Sequence, residues 1–221
     1  MEWECYVKKE VCKKSSTPVC GENCRAYILF EAIYGVSNIT KKYQNDKTLV
    51  PENADLEQFR ILNGFKKNVV NHVGKGRNVF ITSHMTGNGK TTWACKIAHE
   101  YIKKSLFNDD IDNLVYYVNV PELLEDLRRV YDDGEYDSIL HKLKSSKLVI
   151  FDDLGAEKSS EWVRERLYTI INYRVLNGLS SIYTSNLSMD ELVLNVGQRV
   201  VSRLKEDTLI VELVGKDRRG E

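Results

Sequence analysis

The chain has 221 residues, and its 32 lysines and arginines are balanced by 32 aspartates and glutamates. This balance excludes a uniformly basic surface of the kind that coats nucleic acid, so any contact with DNA must be local. The length suits one domain of ordinary size with a small appendage. Because the sequence has neither a membrane-spanning apolar run nor a signal-peptide pattern, we expect a cytoplasmic protein.

Four cysteines lie close together in the first part of the chain. They are Cys5, Cys12, Cys20 and Cys24. In a reducing compartment such a cluster favours a structural Zn²⁺ site, since four thiolates leave no open position for catalysis. The spacing is irregular, so free thiols and disulfides are the alternatives. Cys95 stands apart from the cluster and is expected to be a packed core thiol.

The next segments predict a short helix and a linker. Residues 22–34 form an apolar pattern that ends at Gly35, and residues 41–54 are polar with a proline near their end. Asp55 stands where it can cap a helix that continues to about Val73. We therefore predict a zinc-binding module over 1–40, a linker over 41–54 and a larger domain over 55–221.

The larger domain alternates apolar strand patterns with amphipathic helix patterns. The predicted strands are 79–82, 114–118, 147–151, 181–184 and 209–214. The predicted helices between them are 90–105, 122–131, 137–143, 160–176, 189–194 and 198–204. This alternation predicts an α/β fold in which helices flank a five-stranded parallel sheet.

A glycine-containing turn joins the first of these strands to its helix. The turn reads Gly87, Asn88, Gly89, Lys90, Thr91 and Thr92. Backbone N–H groups and the helix dipole make such a turn an anion site, where Lys90 would reach the β- and γ-phosphates of ATP and Thr91 would ligate Mg²⁺. His84 stands where the full phosphate-loop pattern has glycine, which is tolerable if its backbone avoids positive φ.

Polar side chains follow two of the other predicted strands. Asp152 would hold the Mg²⁺ shell, and Asp153 would orient or deprotonate the attacking water. Asn186 would hydrogen-bond that water or the γ-phosphate. These residues predict an ATPase, and aspartate in place of the more usual glutamate at position 153 indicates slow or partner-dependent hydrolysis.

Arg199 and Arg203 lie one turn apart on the predicted helix 198–204. An arginine presented to a neighbouring subunit's γ-phosphate stabilises transition-state charge in trans. The alternative is an ordinary solvated arginine face.

Together these motifs resemble those of AAA+ ATPases of the DnaC and DnaI type, with the transposase-helper ATPase IstB as close kin. The resemblance covers roughly residues 55–221. It is carried by the stretches Asp152-Asp153-Leu154-Gly155-Ala156-Glu157-Lys158, Glu161-Trp162, 166–174, Thr184-Ser185-Asn186 and 199–204. It implies an AAA+ core without a C-terminal lid domain. It also implies that the protein forms an ATP-dependent oligomer, binds the hexameric replicative helicase and delivers it to single-stranded DNA. The compact size favours a phage or mobile-element version in a bacterial host cell.

The resemblance also assigns roles by position. Lys90 and Thr91 match the Walker A motif, Asp152 and Asp153 match the Walker B motif, and Asn186 matches sensor 1. Arg203 matches the arginine finger, with Arg199 as the second candidate. Arg219, or Arg218, matches an arginine that touches the nucleotide of its own subunit. By the same resemblance, the module over 1–40 would bind the helicase.

Two other functions fit the same motifs. One is a transposition helper that assembles on duplex DNA and recruits a transposase. The other is a scaffold or helicase inhibitor that does not hydrolyse ATP.

Overall fold

The structure, a computed structural model, describes residues 24–44, 49–106, 111–129 and 134–218. Its sheet has five strands, all parallel, as the sequence predicts. The strands are β1 (Asn78–Thr82), β2 (Val115–Asn119), β3 (Leu148–Asp152), β4 (Ser180–Ser185) and β5 (Thr208–Glu212), in the spatial order β2-β3-β4-β1-β5. Because the strands are parallel, their carboxyl ends meet at one edge of the sheet. At that edge Asn119 is paired with Asp152, and Thr82 with Ser185.

Helices cover both faces of this sheet. They are α1 (Arg25–Ser37), α2 (Lys41–Gln44), α3 (Leu56–Lys67), α4 (Val69–Gly74), α5 (Lys90–Ser105), α6 (Val120–Arg129), α7 (Gly134–Ser145), α8 (Glu161–Leu176), α9 (Met189–Val196) and α10 (Gln198–Lys205). Every residue of β1, β3 and β4 is buried, as expected for strands covered on both faces. None of the helices in these ranges is long and apolar enough to cross a bilayer.

The alternation of side chains along each strand divides the core into two layers. Val79 and Ile81 of β1 pack with α1, α3, α4 and α5 on one face. Phe80 packs with α6, α8, α9 and α10 on the other. Strand side chains point alternately to opposite faces, so one continuous apolar run supplies both layers.

Helix α1 differs from its prediction in both its bounds and its surroundings. Gly35, the predicted end, lies inside the helix, which is terminated by Asn38 in the left-handed conformation with φ of 59°. Phe30, Ile33 and Tyr34 are buried in the same hydrophobic cluster as apolar residues of α5, the helix that follows the predicted phosphate loop. The described part of the predicted 1–40 module therefore shares the core of the larger domain, and residue 40 does not separate two cores.

The predicted linker and the helix after it are also corrected. Residues 41–44 form α2, and residues 53–55 form a single turn of 3₁₀ helix. The helix expected to run to Val73 is divided at Asn68 into α3 and α4. Asp55 makes no capping hydrogen bond with its side chain, which is instead bonded to the end of the chain, as described below.

A buried arginine joins α8 to the amino ends of β3 and β4. Arg174 is fully buried, and its guanidinium donates to the carbonyls of Leu143 (2.6 Å), Ser146 (2.9 Å) and Ser180 (2.5 Å) and to Ser181 Oγ (2.9 Å). Burial lowers the pKa of Arg174 to about 10, which leaves it charged at neutral pH. The carbonyls thus provide the hydrogen bonds that a buried guanidinium requires.

Candidate nucleotide-binding site

The predicted phosphate loop lies between β1 and α5 at the carboxyl edge of the sheet. Gly87 and Gly89 have φ of 72° and 101°, values in the left-handed region that favours glycine. Helix α5 begins at Lys90, so its first N–H groups, which have no acceptor within the helix, point at the loop. This combination of amides and helix dipole fits a phosphate group.

Lys90 and Asn88 hold the loop together from inside. The Lys90 side chain is buried, and its ammonium lies 2.9 Å from the Met85 carbonyl and 3.4 Å from Asn88 Oδ1. Asn88 Nδ2 donates to Ser83 Oγ at 2.6 Å. The ammonium is therefore held within the turn whose amides face the anion site.

His84 leaves this site open. Its φ is not among the positive values of the described residues, so the condition for replacing glycine is met. The imidazole is 60% exposed and faces Glu191 of α9, with Nδ1 3.7 Å from Oε2. The side chain is therefore turned towards solvent and α9, and away from the interior of the loop.

Three hydroxyl groups converge on the buried carboxylate of Asp152, at the end of β3. Thr91 Oγ1 donates to Oδ1 at 2.9 Å, Thr184 Oγ1 to Oδ1 at 2.6 Å, and Tyr117 OH to Oδ2 at 2.8 Å. Thr91 also supplies the hydroxyl oxygen, and Asp152 the carboxylate oxygens, that Mg²⁺ prefers as ligands. The donor set at this point therefore fits a magnesium ion.

Asp153 occupies an uncommon backbone conformation beside this cluster. Its φ is 58°, which is rare for a residue other than glycine, and its N–H donates to Thr184 Oγ1 at 3.0 Å. Asn119 Nδ2 lies 3.5 Å from Asp153 Oδ2. Such strain is maintained by surrounding bonds and is frequent at functional sites.

Residues 213–218 run along the phosphate loop. Leu213 N–H donates to the Thr82 carbonyl at 2.8 Å, and Arg218 N–H donates to the Gly87 carbonyl at 3.0 Å. The Asp217 carboxylate lies in the space that a Cβ at position 87 would occupy, and the positive φ of Gly87 is what favours glycine there. The loop is thus covered on one side by residues 213–218.

Asp55 secures this C-terminal segment. Its fully buried carboxylate accepts from the N–H groups of Val214 (2.8 Å) and Gly215 (3.0 Å) and pairs with the Arg218 guanidinium at 3.1 Å. The Arg218 guanidinium also lies 5.0 Å from the centre of the Phe59 ring. Arg218 is therefore a structural partner of Asp55, while Arg219, to which nucleotide contact is assigned above, lies outside the described residues.

Comparison with known proteins decides the family. Residues 52–212 match the family described as IstB-like ATP binding protein. The chain belongs to this family. It is 28% identical over 144 residues to the replicative helicase loader DnaI of Bacillus subtilis (strain 168), a match that covers 65% of this chain and 43% of DnaI.

Two further relatives support the same relationship. The ATP-binding protein of insertion sequence IS1162 from Pseudomonas fluorescens is 31% identical over 111 residues, which is 50% of this chain and 45% of that protein. The crystal structure of the DnaC helicase loader matches with a TM-score of 0.67 and 26% identity, over 79% of this chain and 100% of that one. The chain is thus an IstB-like AAA+ protein related to the DnaC and DnaI loaders, and its match spans less than half of DnaI and of the IS1162 protein.

In this IstB-like fold the remaining predicted residues fall into two groups. Asn186 follows β4 at the same edge as the phosphate loop, where Ser83 N–H donates to the Ser185 carbonyl at 3.2 Å. Arg203 lies elsewhere, near the end of α10. Its guanidinium is 2.5 Å from Glu206 Oε1. Asp207, which follows Glu206 in the chain, accepts with its carbonyl oxygen from Asn78 N–H at the start of β1.

This position separates Arg203 from the phosphate loop of its own chain. The five residues of β1 lie between them and span about 17 Å at the usual rise per strand residue. Arg199, one turn earlier, stacks 4.0 Å from the centre of the Tyr168 ring. Hydrogen bonds from Arg199 and Arg203 lower the pKa of the partly buried Tyr168, so both arginines lie beside this residue of α8.

The cysteines are only partly described. Cys24 precedes α1, is half-buried and packs against the core, while Cys5, Cys12 and Cys20 lie outside the described residues. Cys95 is buried in the core as expected, and burial raises the pKa of its thiol. Among the described residues, no set of histidine, cysteine and acidic side chains is grouped as a metal site with three or more ligands.

The observed roles of four residues at the site are not predicted from the sequence. Tyr117 and Thr184 contact Asp152, and Asp55 and Arg218 hold the C-terminal segment. The pairing of β2, β3 and β4 could have indicated the first two, because it brings residues 117 and 184 beside the end of β3. No local signal joins residues 55 and 218.

Proposed function

We propose that this chain is an ATP-dependent loader that binds the replicative DNA helicase and delivers it to single-stranded DNA. The carrying observation is the joining of a phosphate loop to Asp152 through Thr91, in a chain that is 28% identical to the helicase loader DnaI over 144 residues. Nucleotide binding would control assembly of the loader, and assembly would control its hold on the helicase.

In the nucleotide site, the residues of the turn would bind the phosphates. The amides of Gly87, Asn88, Gly89, Lys90, Thr91 and Thr92 face the anion, and the Lys90 ammonium neutralises charge on its β- and γ-phosphates. Thr91 and Asp152 would hold Mg²⁺, which when bound neutralises phosphate charge. Arg219 would touch the nucleotide from the C-terminal segment.

Hydrolysis would depend on the acid and amide beside this site. Asp153 would orient the attacking water and accept its proton, and Asn186 would hydrogen-bond the water or the γ-phosphate. The rigid hydrogen bond from Asp153 N–H to Thr184 supports this role, because it fixes the backbone from which the carboxylate extends. Hydrolysis would be slow without a partner, since aspartate reaches less far than glutamate.

The transition state would be completed by a second copy of the chain. Arg203 lies at the opposite edge of the sheet from its own phosphate loop, so it would act on the nucleotide of a neighbouring subunit, with Arg199 as the second arginine. Such a site is active only in an oligomer formed with ATP.

The first 40 residues would bind the helicase through the Cys5, Cys12, Cys20 and Cys24 zinc site. Since α1 packs into the ATPase core, we confine the removable part of this module to residues 1–23. The domain arrangement thus proposed is a helicase-binding segment followed by an ATPase domain that includes α1.

Co-purification with the host's replicative helicase tests this function. With ATP present, the full chain should retain the helicase, while a chain lacking residues 1–23 should bind ATP normally and lose the helicase. As a control, Cys95→Ala leaves the cysteine cluster intact and should retain the helicase. If the full chain fails to retain the helicase with ATP and Mg²⁺ present, the loader function is wrong.

The similarity to the IS1162 protein favours a second candidate, a transposition helper acting on duplex DNA. Electron microscopy of the chain with ATP and duplex DNA separates the two functions. ATP-dependent filaments on duplex DNA, in a protein that does not retain the helicase, would replace the loader with the transposition helper.

A further inference from the structure

Asp152 has a second layer of support that the phosphate-loop motifs do not include. The carboxylate is 3% exposed, and each of its oxygens accepts from a hydroxyl that belongs to a neighbouring strand: Oδ1 from Thr184 of β4 and Oδ2 from Tyr117 of β2. β2 and β4 are the two strands paired with β3. The carboxylate is therefore held from both sides within the sheet.

The hydroxyl of Thr91 connects this arrangement to the proposed metal. A hydroxyl has one hydrogen to donate and two lone pairs, so Thr91 can donate to Asp152 while its oxygen faces a cation. The direction of the Thr91 lone pairs then depends on where the Asp152 oxygens are held. Outer residues that orient metal ligands in this way commonly change metal affinity about 10- to 100-fold when they are removed.

Tyr117 is well placed to act as such an outer residue. It is 8% exposed, its hydroxyl donates at 2.8 Å, and its own carbonyl accepts from Asn38 Nδ2 at 3.0 Å, which anchors this part of β2 to the end of α1. A tyrosine hydroxyl carries one hydrogen, and here that hydrogen is directed at the Asp152 carboxylate.

We propose that Tyr117 is a positioning residue for magnesium: it donates to Oδ2 of Asp152 and, together with Thr184, fixes the carboxylate that orients the Thr91 hydroxyl. The inference rests on the proposed nucleotide site and adds to it a residue from β2. It requires that loss of the Tyr117 hydroxyl weaken magnesium binding without weakening the binding of nucleotide alone.

The test is a magnesium titration monitored by nucleotide binding. A fluorescent N-methylanthraniloyl-ATP is bound first in EDTA and then at increasing Mg²⁺ concentrations. For Tyr117→Phe we expect unchanged binding in EDTA and an increase of about tenfold in the Mg²⁺ concentration that gives half of the magnesium-dependent change. Thr184→Val should behave similarly, and Thr184→Ser, which keeps the hydroxyl, should resemble the parent.

The neighbouring tyrosine provides a matched control. Tyr116 precedes Tyr117 on β2, points to the opposite face and packs with the other core layer. Tyr116→Phe makes the same chemical change away from Asp152, so it should leave the magnesium dependence at the parental value.

Three results have distinct meanings. An unchanged magnesium dependence in Tyr117→Phe would overturn the positioning role. An equal loss of binding in EDTA and in Mg²⁺ would also overturn it, because it would show a general structural role for the side chain. If the parent bound no nucleotide under either condition, the proposed nucleotide site itself would be wrong.

Discussion

At the scale of single residues, the pair formed by the fully buried Asp55 and the partly buried Arg218 determines how the C-terminal segment 213–218 is held. The Asp55 carboxylate is fully buried and serves two backbone N–H groups as well as the guanidinium. Removing one member of a buried pair leaves the other charge uncompensated, which commonly costs about 3–5 kcal/mol.

We therefore predict that Asp55→Asn lowers the free energy of unfolding by about 3 kcal/mol in urea titrations. Glu57→Gln is the control, because Glu57 pairs with Arg60 on an exposed surface and should change stability by less than about 1 kcal/mol. Equal stabilities of the two variants would contradict the role assigned to Asp55.

Arg174 provides a second prediction at this scale. Arg174→Met would leave the carbonyls of residues 143, 146 and 180 without their donor, and each unsatisfied buried group costs about 1–3 kcal/mol. We expect a loss of about 3 kcal/mol or more in urea unfolding, whereas Arg129→Met, at an exposed ion pair, should have little effect. A parental stability for Arg174→Met would show that these bonds are dispensable.

The partly buried carboxyl of Glu157 should make the free energy of unfolding depend on pH. Its Oε2 accepts from Gly155 N–H at 2.9 Å, and burial raises its pKa above the ordinary value of 4.5. A raised pKa in the folded state favours the protonated acid, so the stability it contributes is present below pH 4.5 and is lost as pH rises through the folded-state pKa.

Glu157→Gln removes this titration. The free energy of unfolding of the variant, measured relative to the parent in urea, should therefore increase as pH is raised from 4 towards 8. A difference that is constant over this range, or one that falls, would contradict the burial of a titrating carboxylate at this position.

At the scale of secondary-structure elements, α10 carries Arg203, the arginine that we propose completes a neighbour's site. This position predicts complementation between two inactive variants. Lys90→Ala lacks a working phosphate loop but keeps Arg203, and Arg203→Ala keeps the loop but lacks the arginine. When the two are mixed, an interface that combines the intact loop of one with the intact arginine of the other should be active.

For random mixing, roughly a quarter of the interfaces have both intact parts, so we expect about a quarter of the parental ATP hydrolysis rate. Each variant measured alone should be inactive, and Arg60→Ala, on the exposed surface of α3, should hydrolyse ATP at the parental rate. A mixture that is as inactive as its components would show that Arg203 does not act in trans.

The elements that the sequence predicts well are those with a strong local pattern. Helix α5 has the predicted bounds because a glycine turn precedes it and an apolar face continues through it. The strand ending at Asp152 is displaced by one residue at each end. By contrast, the break at Asn68 is accompanied by local hydrogen bonds to the Gly64 and Phe65 carbonyls that no apolar pattern reports. The helix α1 continues past Gly35 and buries Ser37, a tertiary contact that local preference does not indicate.

The site follows the same division. Phosphate-loop and strand-end residues could be proposed from the sequence because each stands beside a recognisable local pattern. The contacts of Tyr117 and Thr184 with Asp152 required knowledge of strand pairing, and the contact of Asp55 with Arg218 joins segments at opposite ends of the domain. Such long-range contacts have no periodic signature in a single sequence.

At the scale of the whole molecule, distant parts of the chain meet at the proposed nucleotide site. Asp55 in the N-terminal part binds the C-terminal segment, and that segment lies against Gly87 of the phosphate loop. Helix α1 packs against α5, which begins where the phosphate loop ends. Both ends of the described chain are therefore joined to the phosphate loop.

Calorimetric titration of ATP in the presence of Mg²⁺ tests the central claim most directly. The parent chain should bind ATP at the loop around Lys90, and Lys90→Ala should abolish detectable binding while retaining the parental unfolding curve. Absence of binding to the folded parent, or equal binding by a folded Lys90→Ala variant, would contradict the account.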